Sequence, residues 1–162
     1  SYYLVAPRYS RDQEDTYKAL TAYQGFIDKY PKSDLIEEAN KDYAELNRKL
    51  QFKDFEVARL YYHTEKYSAA IQAFENFNED HLGSEFKEDA FYYSFKSAYE
   101  LGMKSILSKK EERLTEAILS YNKFKKTFPE SEKMEEIDSM GSKLQEELNE
   151  LRESLSTISQ NN

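Results

Sequence analysis

Residues 52–82 read FKDFEVARLYYHTEKYSAAIQAFENFNEDHL, and this stretch decides the fold. It predicts two helices joined by a short turn at Glu65–Lys66. Ala70, Phe74 and Phe77 recur at helical spacing and therefore share one face. The small residues that permit close approach of the two backbones are Ala58, Ala69, Ala70 and Ala73, and the large ones around them are Val57, Tyr61, Tyr67, Ile71, Phe74 and Phe77. One helix pair cannot bury such a face, so we expect further pairs to stack against it.

The composition is that of a folded helical protein with an acidic surface. The 162 residues are 39% hydrophobic and 33% charged, and only four Gly and three Pro interrupt them. The net charge is −8, which repels phosphate backbones, so nucleic acid is not expected as a partner. The absence of cysteine excludes disulfides and cysteine-based zinc sites and leaves the redox compartment open.

The first residues do not have the pattern of a signal peptide. No apolar run approaches the roughly 20 residues that a membrane-spanning helix needs. The chain does not begin with Met, and its first residues, SYYLVAP, resemble the end of a helix. We therefore expect a fragment or a processed form, with any targeting segment outside this sequence.

Ahead of the central stretch the pattern predicts two helices. A short apolar piece from Tyr2 to Val5 is followed by a polar loop over residues 7–11, which begins with a proline. Asp12 is expected to cap the first helix, which should end before Pro31. Ser33 is expected to cap the second helix, which should end at Leu50.

Three further helices are predicted after the central stretch. One follows Ser84 and runs to Gly102, and another ends before Pro129. The charged run at residues 109–113 is expected to form a solvated turn or the first turn of that second helix. The last helix follows Ser131, and a heptad-like apolar seam lies on it: Ile137, Leu144, Leu148, Leu151, Leu155 and Ile158. We expect this helix to cap the last repeat; the alternative is that its distal end packs on another protein.

The same pattern occurs three times along the chain. Each copy has seven positions in the same order: a small residue, an apolar residue, a first aromatic residue, a second aromatic residue, an aromatic residue or His, the residue at which the helix is expected to end, and a serine. In order, these are Ala19, Ala70 and Ala117; Leu20, Ile71 and Ile118; Tyr23, Phe74 and Tyr121; Phe26, Phe77 and Phe124; Tyr30, His81 and Phe128; Pro31, Leu82 and Pro129; and Ser33, Ser84 and Ser131. Seven aligned positions in three copies indicate an internal repeat.

The order of the motif matches the second helix of a tetratricopeptide repeat. The predicted fold is therefore all-α, a tetratricopeptide-repeat superhelical solenoid of antiparallel helix pairs with a long C-terminal helix. Copies lie about 50 residues apart instead of the usual 34, so extended helices or loops are expected between them. We expect a single domain over residues 1–162, with repeat units at about 1–33, 34–50 plus 51–84, and 85–131, and a capping helix at 132–158.

Several motifs resemble a known family. The first 33 residues contain a proline-bearing loop at Pro7, then Arg11–Asp12–Gln13, then Tyr30–Pro31–Lys32–Ser33. Next come a helix that ends in Leu, at Leu50, and a link that contains Lys, at Lys53. A Val-Ala…Tyr-Tyr run at residues 57–62 and a Tyr-Ser-Ala-Ala run at residues 67–70 follow. These features resemble the BamD-type outer-membrane lipoproteins, which assemble β-barrel proteins. The resemblance covers about residues 1–135.

The resemblance implies a function as well as a fold. It implies a non-catalytic scaffold on the periplasmic side of the bacterial outer membrane, with partner subunits of the barrel-assembly machinery and client β-barrel peptides as binding candidates. In that family the C-terminal repeats dock on the periplasmic domains of the barrel-bearing subunit. The family also carries a lipid anchor on an N-terminal Cys. That Cys and the first repeat are not in this chain.

The candidate binding residues follow from the repeat geometry. In tetratricopeptide repeats the first helix of each pair lines the concave face, and we expect an aromatic groove there for a peptide or a partner helix. The predicted groove residues are Phe52, Phe55, Arg59, Tyr62 and His63, and Tyr92, Phe95, Tyr99 and Met103. The alternative is that several of these rings only pack between repeats. Arg8, Arg11 and Gln13 are further candidates on the predicted first loop.

The sequence contains no motif for catalysis, a cofactor or a metal. His63 and His81 are isolated histidines in a chain without Cys, so no zinc site is expected. Adjacent carboxylates such as Glu79–Asp80 have no evident apolar pocket that would suit them to catalysis. No phosphate-binding glycine loop, nucleophile elbow or HExxH motif is present. Two other functions stay open: an adaptor of another cell-envelope or cytoplasmic complex, and a helical domain of an enzyme whose catalytic part lies elsewhere.

Overall fold

The computed structural model describes residues 6–160, with side chains from 13 to 158. These residues form six helices: α1 (Ala6–Lys29), α2 (Ile36–His63), α3 (Tyr67–Asp80), α4 (Lys87–Met103), α5 (Leu107–Thr127) and α6 (Met134–Gln160). No strand occurs within residues 6–160, so the all-α prediction is confirmed. The chain divides into two compact units, unit 1 with residues 1–54 and unit 2 with residues 55–162.

One turn recurs ahead of three helices. Ser33, Ser84 and Ser131 each donate a backbone N–H to the carbonyl three residues earlier, at 3.0–3.1 Å. Each serine hydroxyl also accepts the N–H two residues later, at 3.1–3.2 Å. The next helix starts three residues after the serine in all three cases. The aligned serines therefore adopt one local structure, in the turn just ahead of the helix and not at the cap itself.

The central hairpin lies where the sequence predicts it. α2 ends at His63 and α3 begins at Tyr67, with Glu65 in the left-handed region at φ 58°. The backbone N–H of Lys66 bonds to the carbonyl of Tyr61 at 2.9 Å and closes the end of α2.

The predicted first loop is wrong. Residues 7–11 lie on α1, which begins at Ala6 and continues through Asp12, so Asp12 is not a cap. Proline is tolerated in the first turn of a helix, where its missing N–H has no partner to lose. The loop candidates Arg8, Arg11 and Gln13 therefore lie on a helix. The side chains of Arg8 and Arg11, and the predicted apolar piece from Tyr2 to Val5, lie outside the described residues.

One other boundary differs from the prediction, and one open alternative is decided. α2 continues through Leu50 without a break, because residues 36–63 contain neither Pro nor Gly to end it. The charged run at 109–113 lies on α5, which begins at Leu107, so the second of its two expected forms is correct.

Unit 2 has two apolar clusters built from small and large side chains. The first contains Phe55, Ala58, Ala70, Phe74, Phe77 and Ala90. The second contains Phe95, Ala98, Leu114, Ala117, Phe124, Ile137, Leu144, Leu148 and Leu151. Helices α3, α4, α5 and α6 pack consecutively, and α6 also contacts α4. This packing of adjacent helices is that of a tetratricopeptide-like solenoid.

Two glycine substitutions should have opposite effects on stability. A Cβ at Gly141 would lie 2.6 Å from Cε2 of Tyr121, a ring fixed by its hydrogen bond to Asp138. Gly141→Ala should therefore cost about 1–3 kcal/mol of overpacking, reduced by about 1 kcal/mol of helix propensity. Gly25, inside α1, has no atom within 4 Å of such a Cβ, so Gly25→Ala should stabilise by up to about 1 kcal/mol. Urea unfolding checks this order, and a Gly141→Ala protein more stable than Gly25→Ala would contradict the packing at Tyr121.

Candidate partner-binding surface

Two of the predicted groove residues belong to the core. Phe55 is 5% exposed and Phe95 is fully buried, at the centres of the two apolar clusters of unit 2. Their rings join neighbouring helices and are not available to a partner. The alternative weighed above, that some of these rings only pack between repeats, holds for these two positions.

The other predicted residues remain at least partly exposed. Phe52 is 46% exposed and belongs to unit 1, and Arg59 pairs along its own helix with Glu56 at 2.8 Å. The remaining five lie in unit 2, and we call them the aromatic face. The aromatic face consists of Tyr62 and His63 of α2 and Tyr92, Tyr99 and Met103 of α4.

Ring contacts anchor the α2 side of the aromatic face to α3 and α4. The ring of Tyr62 lies 5.2 Å from that of Tyr93 and 6.0 Å from that of Tyr67. Tyr93 in turn stacks on the buried Phe74, with centroids 5.9 Å apart and planes at 12°. Tyr62 is therefore held in place from beneath while part of its ring faces solvent, as a pre-organised contact residue requires.

Lys96 links the two sides of the aromatic face. Its Nζ lies 4.9 Å from the ring centroid of Tyr92 and 6.0 Å from that of Tyr62. It donates to the hydroxyl of Tyr92 at 3.1 Å and pairs with Glu136 of α6 at 3.2 Å. The Tyr92 hydroxyl donates to Glu136 at 2.8 Å, which closes a three-membered network. The network fixes the Tyr92 ring between α4 and α6.

Burial and hydrogen bonding shift the pKa values of this network in consistent directions. Burial raises the pKa of Tyr62, Tyr92 and Tyr99 above 10.0. Burial opposes the charge on Lys96, but hydrogen bonds to Tyr92 and Glu136 outweigh it, and the pKa of Lys96 is raised. Burial also opposes the charge on Glu136, yet the bonds from Tyr92 and Lys96 lower the pKa of its carboxyl. At neutral pH the face therefore presents neutral phenols and a closed Lys–Glu pair.

The protein should lose stability as the pH rises above 10. Unfolded tyrosines release their protons near pH 10.0, whereas Tyr62, Tyr92 and Tyr99 keep theirs in the fold, so the unfolded state binds fewer protons there. The contribution of Lys96 is present below its unfolded pKa of 10.5 and is also lost as the pH rises. Urea unfolding between about pH 8 and 11 measures this fall. The double substitution Tyr62→Phe, Tyr99→Phe should make it less steep, and an unchanged slope would contradict the assigned burial.

A second lysine lies beside the aromatic face. Lys104, just after α4, donates to the hydroxyl of Tyr67 at 3.2 Å and pairs with Glu100 at 3.0 Å and Glu65 at 3.7 Å. The hydrogen bond to Glu100, and to a smaller extent that to Tyr67, raises the pKa of Lys104. Lys96 and Lys104 are thus both paired with carboxylates, so neither leaves an unbalanced positive charge beside the aromatic face.

Sequence reasoning missed the polar part of this surface. Lys96, Glu136 and Tyr93 were not among the predicted residues. Lys96 follows Tyr92 by four residues and thus lies on the same helical face, a spacing that could have identified it. Glu136 lies on α6, a separate element, and no local pattern points to its pairing with α4.

The arrangement suits protein binding. Partly exposed tyrosines fixed from beneath are typical of protein-recognition surfaces. The described residues hold no group of three His, Asp or Glu side chains placed to bind a metal ion. Among residues 6–160, no helix has both the length and the apolar character needed to cross a bilayer.

Comparison with known proteins identifies a family for most of the chain. A family model described as YfiO, outer membrane lipoprotein, matches residues 2–114. A search of curated proteins found no match. The matched range includes the Arg11–Asp12–Gln13 and Tyr30–Pro31–Lys32–Ser33 motifs and all of the aromatic face.

Proposed function

Because the chain belongs to the YfiO family of outer membrane lipoproteins, we propose that it is a non-catalytic scaffold of the machinery that assembles and inserts β-barrel proteins into the outer membrane. The motifs at residues 11–13 and 30–33, which resemble those of BamD-type lipoproteins, support this assignment. In the proposed setting the protein works on the periplasmic side of that membrane, held there by the lipid anchor that the family description implies.

The aromatic face is the observation that carries the proposal. Its tyrosines are fixed by buried neighbours and by the Lys96–Glu136 network, so little side-chain freedom is lost when a partner binds. The proposed partner is the periplasmic part of the barrel-bearing subunit, and a client β-barrel peptide is the second candidate. Either one would supply apolar side chains to cover the rings and backbone groups to bond with the phenols.

Capture from envelope membranes of a bacterium with an outer membrane tests the proposal. The face variant Tyr62→Ala, Tyr92→Ala, Tyr99→Ala is compared with the unaltered chain. The matched control is Tyr17→Ala, Tyr30→Ala, Tyr61→Ala, which removes three tyrosines outside the aromatic face. The barrel-bearing subunit should be enriched by the unaltered chain and the control and at least tenfold less by the face variant.

Mass spectrometry of the captured proteins separates the candidate functions. Enrichment of other envelope complexes without the barrel-bearing subunit would favour an adaptor of different biology and contradict the proposal. Circular dichroism of the three proteins shows whether each is folded, so that weaker capture can be assigned to the lost contact residues.

A further inference from the structure

Unit 2 contains a partly enclosed groove of about 390 Å³ that is lined by three consecutive helices, α3, α4 and α5. Its lining combines apolar side chains with groups that accept hydrogen bonds. The residues on which the argument depends are Glu75 and Asn78 of α3, Phe91 and Leu101 of α4, and Glu116 and Leu119 of α5. No residue of the aromatic face lines this groove, so the two surfaces are distinct.

The amide oxygen of Asn78 is buried in the groove lining and has no hydrogen-bond partner among the described residues. Buried polar atoms in folded proteins are nearly always paired, because an unpaired one keeps the full cost of its lost hydration. A carbonyl oxygen can only accept, so its partner must carry an N–H or O–H group. Oδ1 of Asn78 is therefore placed to accept a hydrogen bond from a ligand in the groove.

Two carboxylates add negative charge to the groove. Glu75 and Glu116 are exposed, and neither forms an ion pair within the part of the chain whose side chains are described. The two cations in the lining are already engaged. Arg113 donates to a serine hydroxyl at 2.8 Å, and Nζ of Lys123 lies 5.3 Å from the ring centroid of Phe91. A donor that enters the groove is therefore bound more strongly if it is positively charged.

We infer that this groove binds an arginine side chain carried by an extended segment of a partner protein. The guanidinium donates to Oδ1 of Asn78 and to the carboxylates of Glu75 and Glu116, because it presents several N–H donors in one plane. Its methylene stem packs against the apolar side chains of Phe91 and Leu101. This inference does not depend on the barrel-assembly proposal.

The dimensions of the groove favour a polypeptide over a small guanidinium compound. Its lining on α5 extends from Arg113 to Lys123, about 15 Å along the helix. An extended chain of about five residues spans that length. Leu119 lies in the same lining and is 63% exposed, so apolar side chains on either side of the arginine can cover it. The net charge of −8 also attracts a basic segment.

A labelled peptide tests the inference directly. The probe is the capped peptide Leu-Ala-Arg-Ala-Leu, in which an extended backbone places the arginine and both leucines on one face. Fluorescence anisotropy with the purified chain should show saturable binding. Replacing the arginine by citrulline keeps its shape and removes its charge, and should weaken binding about three- to fivefold.

The variant Asn78→Leu separates binding from folding. It removes the amide oxygen and should weaken binding of the probe by about tenfold or more. Its thermal stability should be unchanged or higher, because an apolar group of similar size replaces a buried acceptor without a partner. The matched control is Asn76→Leu, which changes an exposed asparagine of α3 outside the lining and should leave binding unchanged.

The double variant Glu75→Gln, Glu116→Gln tests the role of charge. It should bind the arginine and citrulline peptides with about equal affinity, because the groove no longer distinguishes a cation from a neutral group. The control Glu79→Gln, Glu112→Gln removes two exposed carboxylates of α3 and α5 outside the lining and should keep the preference for arginine.

Several results would overturn the inference. Absence of saturable binding, or equal binding by Asn78→Leu and Asn76→Leu, would show that the groove does not take the arginine. A lower stability of Asn78→Leu would show that Oδ1 is already paired in the folded chain. Competition by free arginine amide as strong as that by the peptide would assign the groove to a small molecule. Concentration-dependent dimerisation that Asn78→Leu abolishes, measured by light scattering, would assign it to a second copy of this chain.

Discussion

Replacing Phe95 by alanine should lower the free energy of unfolding by about 3–5 kcal/mol, the usual cost of removing a fully buried aromatic ring. Phe95 has no exposed surface and lies in the cluster that joins α4, α5 and α6. Its loss leaves a cavity that neighbouring helices cannot fill without moving. Urea or thermal unfolding followed by far-UV circular dichroism measures the effect.

Phe52→Ala is the matched control, because that ring is 46% exposed. It should change stability by less than about 1 kcal/mol. If the two variants were equally stable, Phe95 would not be buried, and its exclusion from the aromatic face would be wrong. Because Phe95→Ala is expected to destabilise the fold, it is unsuitable as a test of partner binding.

Ending the chain at Glu132 should have a still larger effect. This truncation removes α6, with its buried Ile137, Leu144, Leu148 and Leu151. Each of these side chains contributes roughly 1.5–3 kcal/mol by burial, and the part of the second cluster that they cover becomes exposed. We expect α5 to lose its helical structure and the shortened protein to aggregate. Circular dichroism and light scattering measure both effects.

A chain ending at Arg152 provides the control for this truncation. The residues that it loses include Leu155 and Ile158, which are 37% and 57% exposed. It keeps the Arg152–Glu111 contact at 2.8 Å. Its thermal stability should stay within a few degrees of that of the full chain. If both truncations left stability unchanged, α6 would not cap unit 2 and would be better explained as a docking element for another protein.

The repeat motif made most of the fold predictable from sequence. The alignment of Ser33, Ser84 and Ser131 identified three turns with the same hydrogen bonds, because a turn depends on residues a few positions apart. The predicted loop over residues 7–11 is wrong because a proline in the first turn does not end a helix, and Pro7 lies in the first turn of α1. The predicted end of the second helix at Leu50 is wrong, because residues 36–63 contain neither Pro nor Gly to end it.

The candidate site was only partly predictable, for a physical reason. Helical periodicity shows which residues share a face, but not how deeply the next helix buries them. Phe55 and Tyr62 both lie on the predicted concave side of α2, yet Phe55 lies in the core and Tyr62 remains partly exposed. The Lys96–Glu136 pair joins two helices and therefore depends on their packing, which no local pattern encodes.

The most direct test of the proposed function is a titration of the purified chain with the purified periplasmic domains of the barrel-bearing subunit. We expect saturable binding, weakened at least tenfold by Tyr62→Ala, Tyr92→Ala, Tyr99→Ala and unchanged by Tyr17→Ala, Tyr30→Ala, Tyr61→Ala. Equal affinity of the two triple variants, both folded by circular dichroism, would contradict the claim that the aromatic face is the binding surface.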